Sequence, residues 1–172
     1  MLIVFGGLPG VGKSTIAREL ASATRAVHIR IDSIEQAIRN TVDLVSMDDI
    51  GYRVGYAVAA DNLRLGRNVI ADSVNPLPVT RDAWLAVADA AGVPALEVEI
   101  VCLDQSEHRR RLEQRDIDVP GRTQPTWHDV ERRDYRPWDR AVLVIDTANR
   151  TVADCVAEIL SRLPGGGVKA AG

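Results

Sequence analysis

The stretch Gly7-Leu8-Pro9-Gly10-Val11-Gly12-Lys13-Ser14-Thr15 satisfies every fixed position of the pattern G-x-x-x-x-G-K-[ST], and that spacing is a phosphate cradle. Gly7, Gly10 and Gly12 admit the positive or strained φ angles that turn successive backbone N–H groups into a concavity which side chains would block. Ile16, Ala17, Leu20 and Ala21 repeat at helical spacing, so a helix is expected from Lys13, with its unpaired N–H groups and positive dipole end facing the same anion. Lys13 then reaches the β- and γ-phosphates, and the Ser14 hydroxyl is placed to ligate Mg²⁺. Lys13 and Lys169 are the only lysines of the chain, every other basic residue being arginine.

Two acids stand where such a cradle needs them. Asp32 ends an alternating run and is the candidate general base, since a kinase must relieve its acceptor hydroxyl of a proton as the γ-phosphoryl group arrives. Asp72 ends the apolar run Asn68-Val69-Ile70-Ala71, as a Walker-B-like acid does. Two roles fit it: a ligand of Mg²⁺ through water, or a substrate-binding group. Ser73 and Asn75 fall in the same crevice as acceptor-binding groups. Of Arg109, Arg110, Arg111 and Arg115, the pair Arg111 and Arg115 lie one turn apart on one side of a helix. They are the candidates to neutralise charge on the transferred phosphate, with Arg122 behind them and Arg109 and Arg110 on a solvated face. Arg53 and Tyr56, with Tyr52, Tyr135 and Trp138, are candidates for the acceptor pocket. His28, His108 and His128 show neither metal spacing nor a nucleophile partner, and no chemistry is assigned to them.

These residues need a scaffold to bring them together. Leu2 to Phe5 is a continuous apolar run, as in a strand buried on both faces of a parallel sheet. A second strand is expected over 26–31, ending at Asp32, and Ser33 with Gln36 makes a capping-box start for the next helix. A longer helix is expected from Asp48 or Asp49 to Leu65, stopped by Gly66. Its Gly51, Gly55 and Ala59 form a row that lets a neighbour approach closely. A third strand over 68–72 precedes a helix capped by Thr80. The fourth strand, 95–103, leads to a helix opened by Asp104 and Glu107. Thr126 with Asp129 opens a short helix, 141–145 is the fifth strand, and Thr151 with Asp154 opens the last helix. Five strands alternating with helices make an α/β three-layer sandwich with a mainly parallel sheet. Ligands in such folds bind beyond the carboxyl ends of the strands, where the glycine loop, Asp32, Asp72 and the segment after Leu103 converge.

The 172 residues, 46% hydrophobic and 26% charged, suit one globular domain, and the net charge of −3 argues against non-specific binding to nucleic acid or anionic membrane. One domain is expected over 1–163, with a lid around 105–135 and a flexible tail over 164–172. No apolar run approaches the roughly 20 residues that span a bilayer, and a cytoplasmic location is expected. Cys102 and Cys155 lack metal-ligand spacing and read as buried thiols.

With these motifs in place the chain resembles the small P-loop kinases of the zeta-toxin-like, AAA-family ATPase group, whose members include chloramphenicol phosphotransferase, gluconate kinase and the kinase domain of polynucleotide kinase. The glycine loop is similar to their Walker A element. Arg30-Ile31-Asp32-Ser33 resembles the strand-two motif whose acid activates the acceptor hydroxyl, Ala71 to Pro76 the strand-three motif near the acceptor, and Arg111 to Arg115 the lid pattern. The resemblance implies a nucleoside-monophosphate-kinase-like fold with sheet order 2-3-1-4-5, and it puts Thr147 beside the adenine.

The expected function is thus ATP- and Mg²⁺-dependent transfer of the γ-phosphate to a hydroxyl of a small molecule. A kinase of polynucleotide 5′-hydroxyls and a nucleotide-dependent switch or toxin-like regulator are the alternatives.

Overall fold

The computed structural model describes residues 1–42, 46–47, 49–114, 121 and 124–164. Five strands, β1 (Leu2–Gly6), β2 (Val27–Arg30), β3 (Val69–Asp72), β4 (Ala95–Val101) and β5 (Leu143–Asp146), form one sheet in the order β2-β3-β1-β4-β5. Every neighbouring pair is parallel, with Phe5 in register with Asp72 and Asp72 with Arg30. The helices are α1 (Lys13–Thr24), α2 (Ile31–Arg39), α3 (Ile50–Arg64), α4 (Pro78–Ala90), α5 (Gln105–Gln114), α6 (Trp127–Glu131) and α7 (Val152–Ser161). Parallel strands need a crossover between them, and helices supply it on both faces.

The central strands β1 and β3 are buried along their whole length. Alternation then sends Ile3, Phe5 and Ile70 to one face, with Ile16 and Leu20 of α1 and Cys155 and Ile159 of α7. Leu2, Val4, Val69 and Ala71 go to the other, with Ala59 and Leu63 of α3 and Trp84 of α4. Both cysteines are free thiols. The small-residue row of α3 serves close packing: a Cβ on Gly55 would run into the Ile31 side chain, and one on Gly51 into Glu35. The capping boxes at Thr126/Asp129 and Thr151/Asp154 both form.

Two expected helix starts are corrected. Helix α2 begins at Ile31, directly off β2, with Arg30 at its N-cap. Asp32 therefore stands in the first helical turn, not at a strand end, and Ser33 lies inside the helix. The reason is Ile31, only 2% exposed, whose burial against Gly55 fixes the chain direction before any cap could act. Helix α4 begins at Pro78, whose ring suits the first helical position. The Thr80 hydroxyl donates to the Leu77 carbonyl at 2.8 Å instead of capping.

Candidate active site

The glycine loop leaves β1 and turns through left-handed backbone at Gly7 (φ 136°), Gly10 (φ 89°) and Gly12 (φ 99°). A Cβ on Gly7 would collide with the Ile100 carbonyl oxygen. The Gly7 N–H donates to Val74 O at 3.0 Å, so Gly7 ties the loop to the turn after β3. Pro9, Gly10, Gly12, Lys13, Ser14 and Thr15 line a cavity of about 420 Å³. Val11 is buried in the core, Leu8 packs against it, and both offer carbonyls inward. Leu8 O accepts from Lys13 Nζ at 2.8 Å, and Val11 O from Thr147 Oγ1 at 3.0 Å.

The same cavity is lined by Asp32, Asp72, Ser73, Arg111 and Thr147. Thr147 is buried beyond β5, and its hydroxyl and carbonyl accept from the Arg111 guanidinium at 2.9 and 3.0 Å. Glu107 holds the same guanidinium from one turn away. Arg111 is thus fixed toward the cavity by α5 and the β5 exit together. Arg109 instead pairs with Glu113 on the exposed side of α5 at 2.8 Å. Arg115 and Arg122, the other candidates of this region, lie outside the described residues.

Asp72 is 2% exposed and sits between His28 Nε2 at 3.2 Å and Arg30 Nε at 3.9 Å. Burial pushes its carboxyl pKa up, but hydrogen bonds from His28 and Ser14 and the charge of Lys13 outweigh that and hold it below the ordinary carboxylate value. An ionised acid hydrogen-bonded to the Ser14 hydroxyl, beside Lys13, is a donor set that fits Mg²⁺, which takes one or two protein oxygens and fills the rest with phosphate and water. No cluster of three or more His, Cys, Asp or Glu able to hold a metal occurs among the described residues.

A second cavity, about 850 Å³, opens between α2, the turn after β3 and the region of α6. Asp32, Ser73 and Val74 line both cavities, and Asp32 is the one acid common to their linings among the described residues. Tyr52 joins this wall; its buried hydroxyl accepts from the Asn75 N–H at 3.1 Å, and burial raises its pKa.

Three candidate acceptor residues stand elsewhere. Asn75 is fully buried in left-handed backbone (φ 48°), and its amide donates to Phe5 O at 2.7 Å, beneath the glycine loop. Tyr56 packs edge-on against Trp84 and donates to Thr80 O at 3.2 Å. Arg53 is exposed and pairs with Asp49 at 2.7 Å. None of the three lines either cavity. Tyr135 and Trp138 pack on the Arg81 guanidinium, which is not exposed at all and donates to the carbonyls of Asn75, Pro76, Arg136 and Pro137.

The His108 ring, buried in α5, bonds Pro9 O of the glycine loop at 2.7 Å and meets Trp127 of α6 edge-on. Sequence reasoning missed both Arg81 and His108. The one signal was their position on the inward side of a helix, where a polar residue must find a partner.

A family model, that of the AAA domain, matches residues 2–132. The chain belongs to this family. No curated protein matches it. Among solved structures this AAA domain is similar to the APS kinase CysC of Mycobacterium tuberculosis in complex with AMPPNP and APS, at 20% identity, with 93% of this chain and 95% of that one covered and a TM-score of 0.72. It is also similar to Kti12 of Chaetomium thermophilum in complex with ADP-AlF3 (21% identity, 96% and 100% covered, TM-score 0.66). A gluconokinase of Sinorhizobium meliloti is a third (19%, 91% and 87%, 0.59). The fold is that of the P-loop kinases, and the expected sheet order 2-3-1-4-5 is the observed one. No helix among the described residues is long and apolar enough to cross a membrane.

Proposed function

We propose that this AAA domain is an ATP- and Mg²⁺-dependent phosphotransferase that moves the γ-phosphoryl group of ATP to a hydroxyl of a small molecule. The observation that carries the reading is Asp32, which lines both the cavity built on the glycine loop and the larger one beside it. A carboxylate between a donor site and an acceptor site is where in-line transfer needs a base.

In this reading the triphosphate lies in the glycine-loop cavity, where Lys13 exchanges the Leu8 carbonyl for phosphate oxygens. Ser14 and Asp72 would hold Mg²⁺, which supplies charge neutralisation at the phosphates when bound. Arg111, held by Glu107 and Thr147, presents its guanidinium toward the donor, with Thr147 on the nucleoside side. The acceptor oxygen forms a bond to the γ-phosphorus as the bond from that phosphorus to the β–γ bridging oxygen breaks. ADP leaves, and the acceptor proton passes to Asp32.

The test is transfer itself. Purified protein with Mg²⁺ and γ-labelled ATP is offered pooled sugars, sugar acids, nucleosides, antibiotics and 5′-hydroxyl oligonucleotides. Label on a small molecule is expected. Nucleotide that binds but yields no label on any acceptor would contradict the reading and favour a nucleotide-dependent switch.

A further inference from the structure

The second cavity is polarised. Asp32 and Glu35 of α2 belong to its lining, and so do His128 and Asp129 of α6 and the two residues that follow that helix, Arg132 and Arg133. Its other arginine, Arg39, is held by Glu35 at 3.4 Å. Arg132 has an imidazole for its hydrogen-bond partner, His128 Nε2 at 3.4 Å. Arg133 feels the charge of Asp129, but the Asp129 carboxylate is committed to the Thr126 N–H and hydroxyl at 2.8 and 2.7 Å. Two adjacent guanidinium groups therefore face a cavity in which Glu35 and Asp129 are already engaged.

Between these charges and the donor site lies Ser73. Its hydroxyl is buried, it lines both cavities, and its neighbour among hydrogen-bonding side chains is the Tyr52 hydroxyl. A serine hydroxyl can donate one hydrogen bond and accept others, so beside Tyr52 it keeps capacity for a polar group brought by the acceptor.

We propose that the acceptor carries an anionic group, a carboxylate or a phosphate or sulfate ester, gripped by Arg132 and Arg133 while its reacting hydroxyl lies between Ser73 and Asp32. Paired guanidinium forks suit planar and tetrahedral oxyanions, which they bind through parallel hydrogen bonds. The acids of α2 repel the anionic end and so orient the molecule with its neutral hydroxyl toward Asp32. This rests on the reading of the second cavity as the acceptor site.

The experiment is a calorimetric titration of inorganic phosphate into protein saturated with AMPPNP and Mg²⁺, so that the glycine loop is already filled. One further phosphate is expected to bind the wild type. In Arg132→Ala/Arg133→Ala the affinity should fall tenfold or more, Arg132→Lys/Arg133→Lys should retain part of it, and Arg109→Ala, on the outer side of α5, should leave it unchanged. Both arginines are exposed, so the variants are expected to fold, and circular dichroism checks that they do. Absence of the second phosphate, or equal binding by wild type and the double alanine variant, would overturn the proposal and leave the two arginines as a helix C-terminal charge pair. A 5′-hydroxyl oligonucleotide held through the same arginines a hundredfold more tightly than phosphate would overturn its small-molecule form. If AMPPNP itself does not bind, the kinase reading fails. The phosphate titration then runs on Lys13→Ala without nucleotide, where loss of binding on removing the two arginines still supports the anion site and unchanged binding still overturns it.

Discussion

His108 shows how a single buried ring can tie a helix to the glycine loop. Its hydrogen bond to Pro9 O spans from α5 to the glycine loop, and Pro9 lines the donor cavity. Burial lowers the pKa of the ring below its ordinary 6.5, the Pro9 bond pulls the other way, and the charges of Lys13 and Arg111 add to the lowering. The folded protein therefore holds the ring neutral where the unfolded chain would already bind a proton. The unfolded state binds more protons in that window, so stability rises with pH through it. The contribution is fully present above pH 6.5 and is lost as pH falls through the lowered folded value. Urea denaturation of the wild type between pH 7.5 and 5 should show that loss, and His108→Gln should flatten it. A profile unchanged by the substitution would mean that the ring is not held neutral. Asp72 titrates in a separate, more acid window, because its pKa lies below the ordinary 3.8.

At the scale of elements, one buried side chain reaches across to the connection between α6 and β5. Arg81 of α4 reaches the carbonyls of Asn75 and Pro76 on one side and of Arg136 and Pro137 on the other, its guanidinium 4.2 Å from the Trp138 ring centroid. Charged hydrogen bonds are worth about 1.5–3 kcal/mol each, and carbonyls left buried without a donor cost more. Arg81→Leu is therefore expected to destabilise the protein by more than about 3 kcal/mol in urea titration. A change under about 1 kcal/mol would show that water replaces the guanidinium. This clamp was not legible in the sequence, because its partners lie up to 56 residues away along the chain and are main-chain groups. What was legible is local or periodic: the glycine loop, the alternation of strands and helices, and the capping boxes at Thr126 and Thr151. Ser33 with Gln36 carried the same capping signal and failed, since burial of Ile31 outranked a cap worth about 1 kcal/mol. The wall of the second cavity was legible at Asp32 and Ser73 but not at Arg132 and Arg133, which periodicity cannot tell from a solvated helix end. Asn75 and Tyr56 were placed in the right region of the chain, yet their side chains turn into the packing beneath it.

At the scale of the whole molecule, the glycine-loop cavity of about 420 Å³ and a second of about 850 Å³ meet along Asp32, Ser73 and Val74. Nucleotide should bind the donor side without an acceptor present. A ligand at a hundredfold its Kd stabilises the folded state by about 2.7 kcal/mol, which for a domain of this size raises Tm by roughly 5–10 °C. AMPPNP with Mg²⁺ is expected to produce that shift in the wild type, and Lys13→Ala to lose most of it. An equal shift in both proteins would place the nucleotide outside the glycine loop. The proposed transfer, by contrast, would need both cavities and the acid between them. The most direct measurement is the rate of label transfer from γ-labelled ATP to the acceptor by wild type and Asp32→Asn, with AMPPNP affinity measured beside it. A fall of about a hundredfold or more in transfer is expected, with AMPPNP affinity within about twofold of wild type, because uniform binding would be untouched while the proton's destination is lost. Transfer by Asp32→Asn at the wild-type rate would contradict it.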